Sequence, residues 1–182
     1  MNQNLKFYLK LFPKIALTTI IVDLSYCKEL IINDRDYSFM ISHRNLGLGY
    51  FEEERYTDAV DEFQKIVGIN PKEPLGYANL GISYMQMNGE LELAEKSMIE
   101  ALKLAPDNPD ISFLLAKIYE LTNRDSLAIS TLRGIIQTHP EHVVSLYQLG
   151  IYFSRGIQSK NKNEARTHFK KISSILPSNI PA

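Results

Sequence analysis

A small residue returns along this chain at a nearly constant interval. Gly47, Gly81, Ala116 and Gly150 are separated by 34, 35 and 34 residues, a period that marks the stacking of one supersecondary unit on the next. The neighbouring positions keep the same register. Leu46, Leu80, Leu115 and Leu149 precede the small residue, and Tyr50, Tyr84, Tyr119 and Phe153 follow it by three, so leucine, small residue and aromatic share one side of a helix. A second set follows in each unit: Ala59, Ala94, Ala128 and Ala165, with Phe63, Met98, Leu132 and Phe169 four residues later. This set defines a second helix. Each unit closes on a proline, Pro71, Pro106, Pro140 or Pro177, which cannot continue a helix and restricts the residue before it.

These positions resemble the tetratricopeptide repeat family, whose pattern runs Leu-Gly-x-x-Tyr, then Ala-x-x-x-Phe, then Pro. The resemblance covers residues 40–179 in four copies, 40–73, 74–108, 109–142 and 143–179, with residues 1–39 outside it. Two features depart from the pattern. The usual Trp is replaced by His43, Tyr77, Ser112 and Leu146, and Ile66, Ile135 and Ile172 stand where the family prefers the alanine that only Ala101 supplies. The resemblance implies an all-α, right-handed superhelical solenoid of about four helix-turn-helix repeats. Helical pentatricopeptide RNA readers have units of similar length, but the Leu-Gly-x-x-Tyr signature is not theirs.

The physical reason for stacking is burial. Gly or Ala on the first helix and Ala on the second let two antiparallel helices approach closely, while leucines and aromatics fill the space beside the crossing. One hairpin cannot bury both faces of its helices, so the core forms between neighbours. The spacing predicts helix pairs over 41–54 and 57–69, 75–88 and 91–104, 109–122 and 125–138, and 143–155 and 162–175. The second unit gains one residue near the Asn88-Gly89 turn, and the fourth gains three within a polar stretch at 155–163.

Composition narrows the function. The chain has 182 residues, 45% apolar and 23% charged, which excludes global disorder, collagen and a multi-span membrane protein. Its single cysteine, Cys27, excludes an internal disulfide. The net charge of −1 conceals a gradient. Residues 1–39 carry +1, residues 40–142 carry −7 and residues 143–182 carry +5, an acidic body with a basic end that can steer an anionic partner. Catalytic signatures are missing: there is no P-loop and no dinucleotide fingerprint. Of His43, His139, His142 and His168, only His139 and His142 are close, and Pro140 between them points to a turn rather than a metal-binding helix face. Cys27 in its apolar setting reads as an inert thiol. No cofactor and no metal are expected.

In the resembling family the first helices line a concave groove that takes peptides. Counting the small residue as position 8, positions 2, 5, 6, 9, 12 and 13 form the groove stripe. Position 6 holds Asn45, Asn79, Leu114 and Gln148. A carboxamide offers donors and an acceptor, so such residues one repeat apart can pair with the backbone of an extended peptide; this resembles the asparagine ladder of some family members, with Leu114 as a gap. Arg44, Lys117 and Arg155 supply cations to the groove, Glu52 and Glu120 anions, and Phe51, Ile82, Met85, Phe113, Tyr147 and Ile151 apolar surface. Position 5 reads Arg44, Ala78, Phe113 and Tyr147, which departs from the carboxylate clamp of the chaperone-binding subset.

The two ends carry further expectations. Lys6, Lys10 and Lys14 precede an apolar run at 15–22, too short to span a bilayer and similar to a secretory signal. Pro13, Asp23 and Tyr26, which stands where a lipoprotein box needs a small residue, fit that pattern badly. The segment reads either as a signal or anchor, with Cys27 then the point of lipid attachment, or as an element capping the first repeat. The location, cytoplasmic or exported and membrane-tethered, stays open with it. At the other end only residues 178–182 follow Pro177, and the last helix presents Phe169, Ile172, Ile175 and Leu176. A second copy in head-to-tail contact or a partner helix is expected to cover that face. Lys160, Lys162, Arg166, Lys170 and Lys171 form a basic cluster with little aromatic interleaving, which disfavours nucleic acid.

The sequence therefore predicts a non-catalytic scaffold or adaptor that binds a peptide or a partner helix in the groove. The alternative is a substrate-recruiting arm of an enzyme or complex whose catalytic part lies elsewhere.

Overall fold

The computed structural model describes residues 34–155 and 159–176. The segment with Lys6, Lys10, Lys14 and Cys27, residue Gly156 and Pro177 lie outside the described residues, as does the side chain of Lys160. By internal contacts the chain divides into two units, Met1–Ile41 and Ser42–Ala182. Of the first, the description holds only residues 34–41, the opening turns of a helix.

Eight helices are described: α1 Asp34–Glu52, α2 Tyr56–Ile69, α3 Pro74–Gln86, α4 Leu91–Leu104, α5 Pro109–Leu121, α6 Asp125–Thr138, α7 Val143–Arg155 and α8 Ser159–Ile175. No described residue lies in a strand. The helices pair in sequence as hairpins, and each second helix packs against the first helix of the next hairpin, α2 on α3, α4 on α5 and α6 on α7. This is an all-α solenoid. The first helices α3 and α5 also meet directly and lie side by side.

Local chemistry fixes the boundaries. Pro74 and Pro109 occupy the first turns of α3 and α5, where the missing N–H costs nothing. The Asn108 side chain accepts hydrogen bonds from the Asp110 and Ile111 amides at 3.0 and 3.1 Å, and Glu73 accepts one from Leu75 at 3.3 Å. Two helices start three or more residues earlier than the spacing predicts. The first helix reaches back to Asp34 because residues 34–40 contain neither Gly nor Pro to stop it. The eighth starts at Ser159 rather than 162, since the polar residues after Gly156 are compatible with a helix, so much of the extra length in the fourth unit is helical.

Each of the first three hairpins turns through a left-handed residue, Glu54 at φ 60°, Gly89 at φ 87° and Asn123 at φ 58°. Next to this residue, Arg55 stacks over Tyr50 at 4.3 Å and Arg124 over Tyr119 at 4.7 Å. The Arg124 guanidinium also donates two bonds to Glu95 of the preceding hairpin, at 3.0 and 2.6 Å, a planar fork that suits a carboxylate.

The helix crossings explain the small residue at position 8. A Cβ on Gly47 would lie 2.7 Å from the Phe63 ring, on Gly81 2.7 Å from the Met98 methyl, and on Gly150 2.7 Å from the Phe169 ring. The remaining repeat has Ala116 opposite the smaller Leu132, both buried. The cores are shared between hairpins: Ala78, Met98 and Ala101 cluster with Ile111, Leu115 and Ile118, while Leu132 and Ile135 cluster with Leu149, Phe153 and Ala165. Fully burying such a side chain contributes about 1.5–3 kcal/mol, and most of that gain arises where hairpins meet.

Candidate peptide-binding groove

The first helices hold the predicted groove residues in three different settings. Asn45 is exposed and Asn79 half-buried, and among the described residues neither carboxamide makes a hydrogen bond; the Asn79 backbone carbonyl alone accepts one, from the Ser83 hydroxyl at 2.9 Å. These amides stand one repeat apart on α1 and α3.

The third and fourth repeats differ. Gln148 donates to both oxygens of Glu120, at 3.1 and 3.0 Å, and Lys117 donates to the same carboxylate. The structure thus gathers Lys117, Glu120 and Gln148 into one half-buried cluster that bridges α5 and α7. Its amide and cation are engaged within the protein. Beside it, the Tyr152 hydroxyl is buried and, among the described residues, has no partner within hydrogen-bond distance. Burial, with the charges of Glu120 and Asp125 adding to it, pushes this phenol up to about 12. An unpartnered buried hydroxyl costs about 1–3 kcal/mol. Tyr152→Phe should therefore leave stability unchanged or raise it by about 1 kcal/mol, read as an upward shift of the urea midpoint.

Arg44 lies 3.9 Å from Glu73, a loose pair at the start of α3. Phe51 meets Tyr56 edge to face at 5.3 Å, and Ile82 and Met85 lean on the core between the second and third repeats. Phe113 packs at 6.2 Å against His142. Tyr147 is 53% exposed with one edge on Phe169 at 6.0 Å, and Arg155 points to solvent. Within residues 42–155 the groove stripe carries four further apolar side chains, Leu48 at position 9, Leu75 and Val144 at position 2 and Leu121 at position 13, all between 42% and 49% exposed. The position rule that selected their neighbours was sufficient to find them.

The histidines serve the scaffold. His43 bonds the buried carboxylate of Glu62, which also accepts from Lys65 at 2.7 Å. Burial opposes the charge of Glu62, but the bonds from Lys65 and His43 outweigh it and hold the carboxyl below its usual range. His142 bridges two repeats, with Nδ1 2.7 Å from the Ser145 hydroxyl and Nε2 3.1 Å from Asp110. His139 follows α6 in the turn, its ring 2.9 Å from Thr138. His168 stacks on Phe153 at 5.9 Å, and burial pushes its imidazole below the ordinary value. Among the described residues no group of three or more His, Cys, Asp or Glu is placed to hold a metal ion, and no helix is long and apolar enough to cross a membrane.

Comparison with known proteins places the fold. A family model described as Tetratricopeptide repeat matches residues 87–149. The human Protein O-mannosyl-transferase TMTC3 is 32% identical over 112 residues, which cover 60% of this chain and 12% of that protein. The chain thus spans about a tenth of the length of the curated relatives it matches. Among solved structures, MamA superimposes with a TM-score of 0.64 at 20% identity, covering 75% of this chain and 77% of its own. YrrB, described as a TPR protein with an unusual peptide-binding site, superimposes with a TM-score of 0.60 at 18% identity, covering 80% and 72%.

Proposed function

Because this chain is a tetratricopeptide repeat protein, we propose that it acts as a non-catalytic scaffold or adaptor that holds a protein segment, an extended peptide or a partner helix, against its first helices. The observation that carries this reading is the pair of unengaged carboxamides, Asn45 and Asn79, beside exposed Leu48 and Leu75. Amides at one-repeat spacing suit a peptide backbone, and the leucines suit its apolar side chains. Binding is centred on the first two repeats, since Gln148 and Lys117 of the later ones are occupied by Glu120. The described peptide-binding site of YrrB supports a peptide ligand for this fold. A second reading makes the chain a substrate-recruiting arm of a larger enzyme or complex; its support is the match to a short part of an O-mannosyl-transferase.

Affinity capture with the full chain and with an Asn45→Ala/Asn79→Ala variant tests the proposal. A partner retained by the wild type and lost from the variant locates the surface, whereas equal retention excludes the amides. For a purified peptide ligand, Asn79→Ala alone should cost about 1 kcal/mol of affinity, close to fivefold, at unchanged helicity. Isothermal titration of the two proteins checks this, and an unchanged Kd removes Asn79 from the site. Turnover of any substrate by the isolated chain would overturn the non-catalytic reading.

A further inference from the structure

A cleft of about 470 Å³ runs along α8, floored by Ala165, Phe169 and Ser173, rimmed by Lys162, Arg166 and Lys170, and bounded on the α7 side by Ser154. We propose that this cleft docks an acidic helix of a partner protein, by the same geometry with which each earlier hairpin receives the next.

The first support is positional. Relative to the residue beneath the helix crossing, Ser173 corresponds to Val67, Leu102 and Ile136. In every earlier hairpin this position meets the first helix that follows. Val67 lies 3.1 Å from a Cβ built on Gly76, Leu102 packs on the cluster of Ile111 and Leu115, and Ile136 on that of Leu149 and Phe153. Ser173 donates its hydroxyl to the Phe169 carbonyl at 3.0 Å, so it offers a small, satisfied surface for a helix to approach. The row from Lys162 to Ser173 presents about three helical turns, roughly 16 Å.

The second support is electrostatic. Each earlier hairpin has one polar residue at the two positions matching Arg166 and Lys170, the other being Val60, Ile99 or Ile129, and that polar residue contacts the following hairpin: Gln64 donates to the Tyr84 hydroxyl at 3.2 Å, Glu95 takes Arg124, and Arg133 donates to Glu164 at 3.1 Å. In α8 these positions are cations, joined by Lys162 at i, i+4 and i+8, all exposed and, among the described residues, in no ion pair. Carboxylates at matching spacing on a docked helix complete the pattern. A long polyanion is a poorer fit, because it would run onto the acidic body, where residues 40–142 carry −7. A second copy stacked in the same manner is also disfavoured, because Arg55 corresponds to Arg124 and would face Arg166.

The test titrates the full chain with a fluorescent, helix-stapled peptide of about four turns, with glutamate at three successive i, i+4 positions and leucine and alanine on the adjoining row. Saturable binding is expected. Reversal of the rim by Arg166→Glu/Lys170→Glu should weaken it at least about tenfold, as should replacing the peptide's glutamates with glutamine. A lysine-bearing peptide should then prefer the reversed variant, and Asn45→Ala/Asn79→Ala should change nothing, which separates this site from the groove. Absence of saturable binding, equal affinity for the glutamine peptide, or indifference to rim reversal overturns the proposal. It also fails if phosphatidylserine vesicles or an oligonucleotide bind the same rim more tightly than the peptide. Sedimentation that shows a wild-type dimer dissociated by rim reversal would assign the cleft to a second copy and overturn it as well.

Discussion

Gly47→Ala should lower stability by about 1–3 kcal/mol, and adding Phe63→Leu should restore a large part of that loss. The added methyl would sit 2.7 Å from the ring of Phe63, which is 1% exposed, so the ring would have to shift within the core. Leucine in its place supplies the space, as Leu132 does for Ala116 in the third repeat. Phe63→Leu alone leaves an under-filled crossing and carries its own cost. The two changes are therefore coupled, and a double-mutant cycle in urea should return about 1 kcal/mol or more of favourable interaction. Additive losses would show that the crossing is not the source of the glycine requirement. The reciprocal exchange, Ala116→Gly with Leu132→Phe, should be tolerated for the same reason.

Glu62→Gln should cost about 1–3 kcal/mol at neutral pH. Glu62 is 7% exposed and its carboxylate joins α2 to α1 through His43 while accepting from Lys65. The charged acceptor is favoured in the fold, so its carboxyl titrates below the ordinary 4.5. A depressed carboxyl contributes stability above its unfolded value and loses it as pH falls through the folded one. The gap between wild type and Glu62→Gln should thus be full at neutral pH and shrink as the medium is acidified below 4.5. Urea unfolding across that range measures it; a gap that stays constant would mean that Glu62 acts through shape rather than charge.

The repeat register, carried by Gly47, Tyr50, Ala59 and Phe63 and their counterparts, was legible because each position answers to a local requirement of one helix crossing. The start of α1 at Asp34 was not, since the repeat pattern begins later and says nothing about how far a helix without Gly or Pro extends upstream. In the candidate groove the positions were legible but their engagements were not. Gln148 and Glu120 are 28 residues apart, Arg124 and Glu95 29, His43 and Glu62 19. Register brings such residues near one another, but which acceptor takes which donor depends on side-chain geometry between packed helices. The sequence pattern treated Asn45, Asn79 and Gln148 alike; the fold leaves the first two unengaged and gives the third to Glu120.

The partner is proposed to lie against the first helices of the early repeats. Site-specific photo-crosslinking tests this placement most directly, with a photoreactive residue in place of Leu48 or Leu75 on the groove stripe, and in place of Lys103, which is exposed on α4. One protein partner should be captured from Leu48 and Leu75, Asn45→Ala/Asn79→Ala should suppress its capture, and Lys103 should not capture it. Capture of that partner from Lys103 but from neither leucine would place it on another face and rule out the groove.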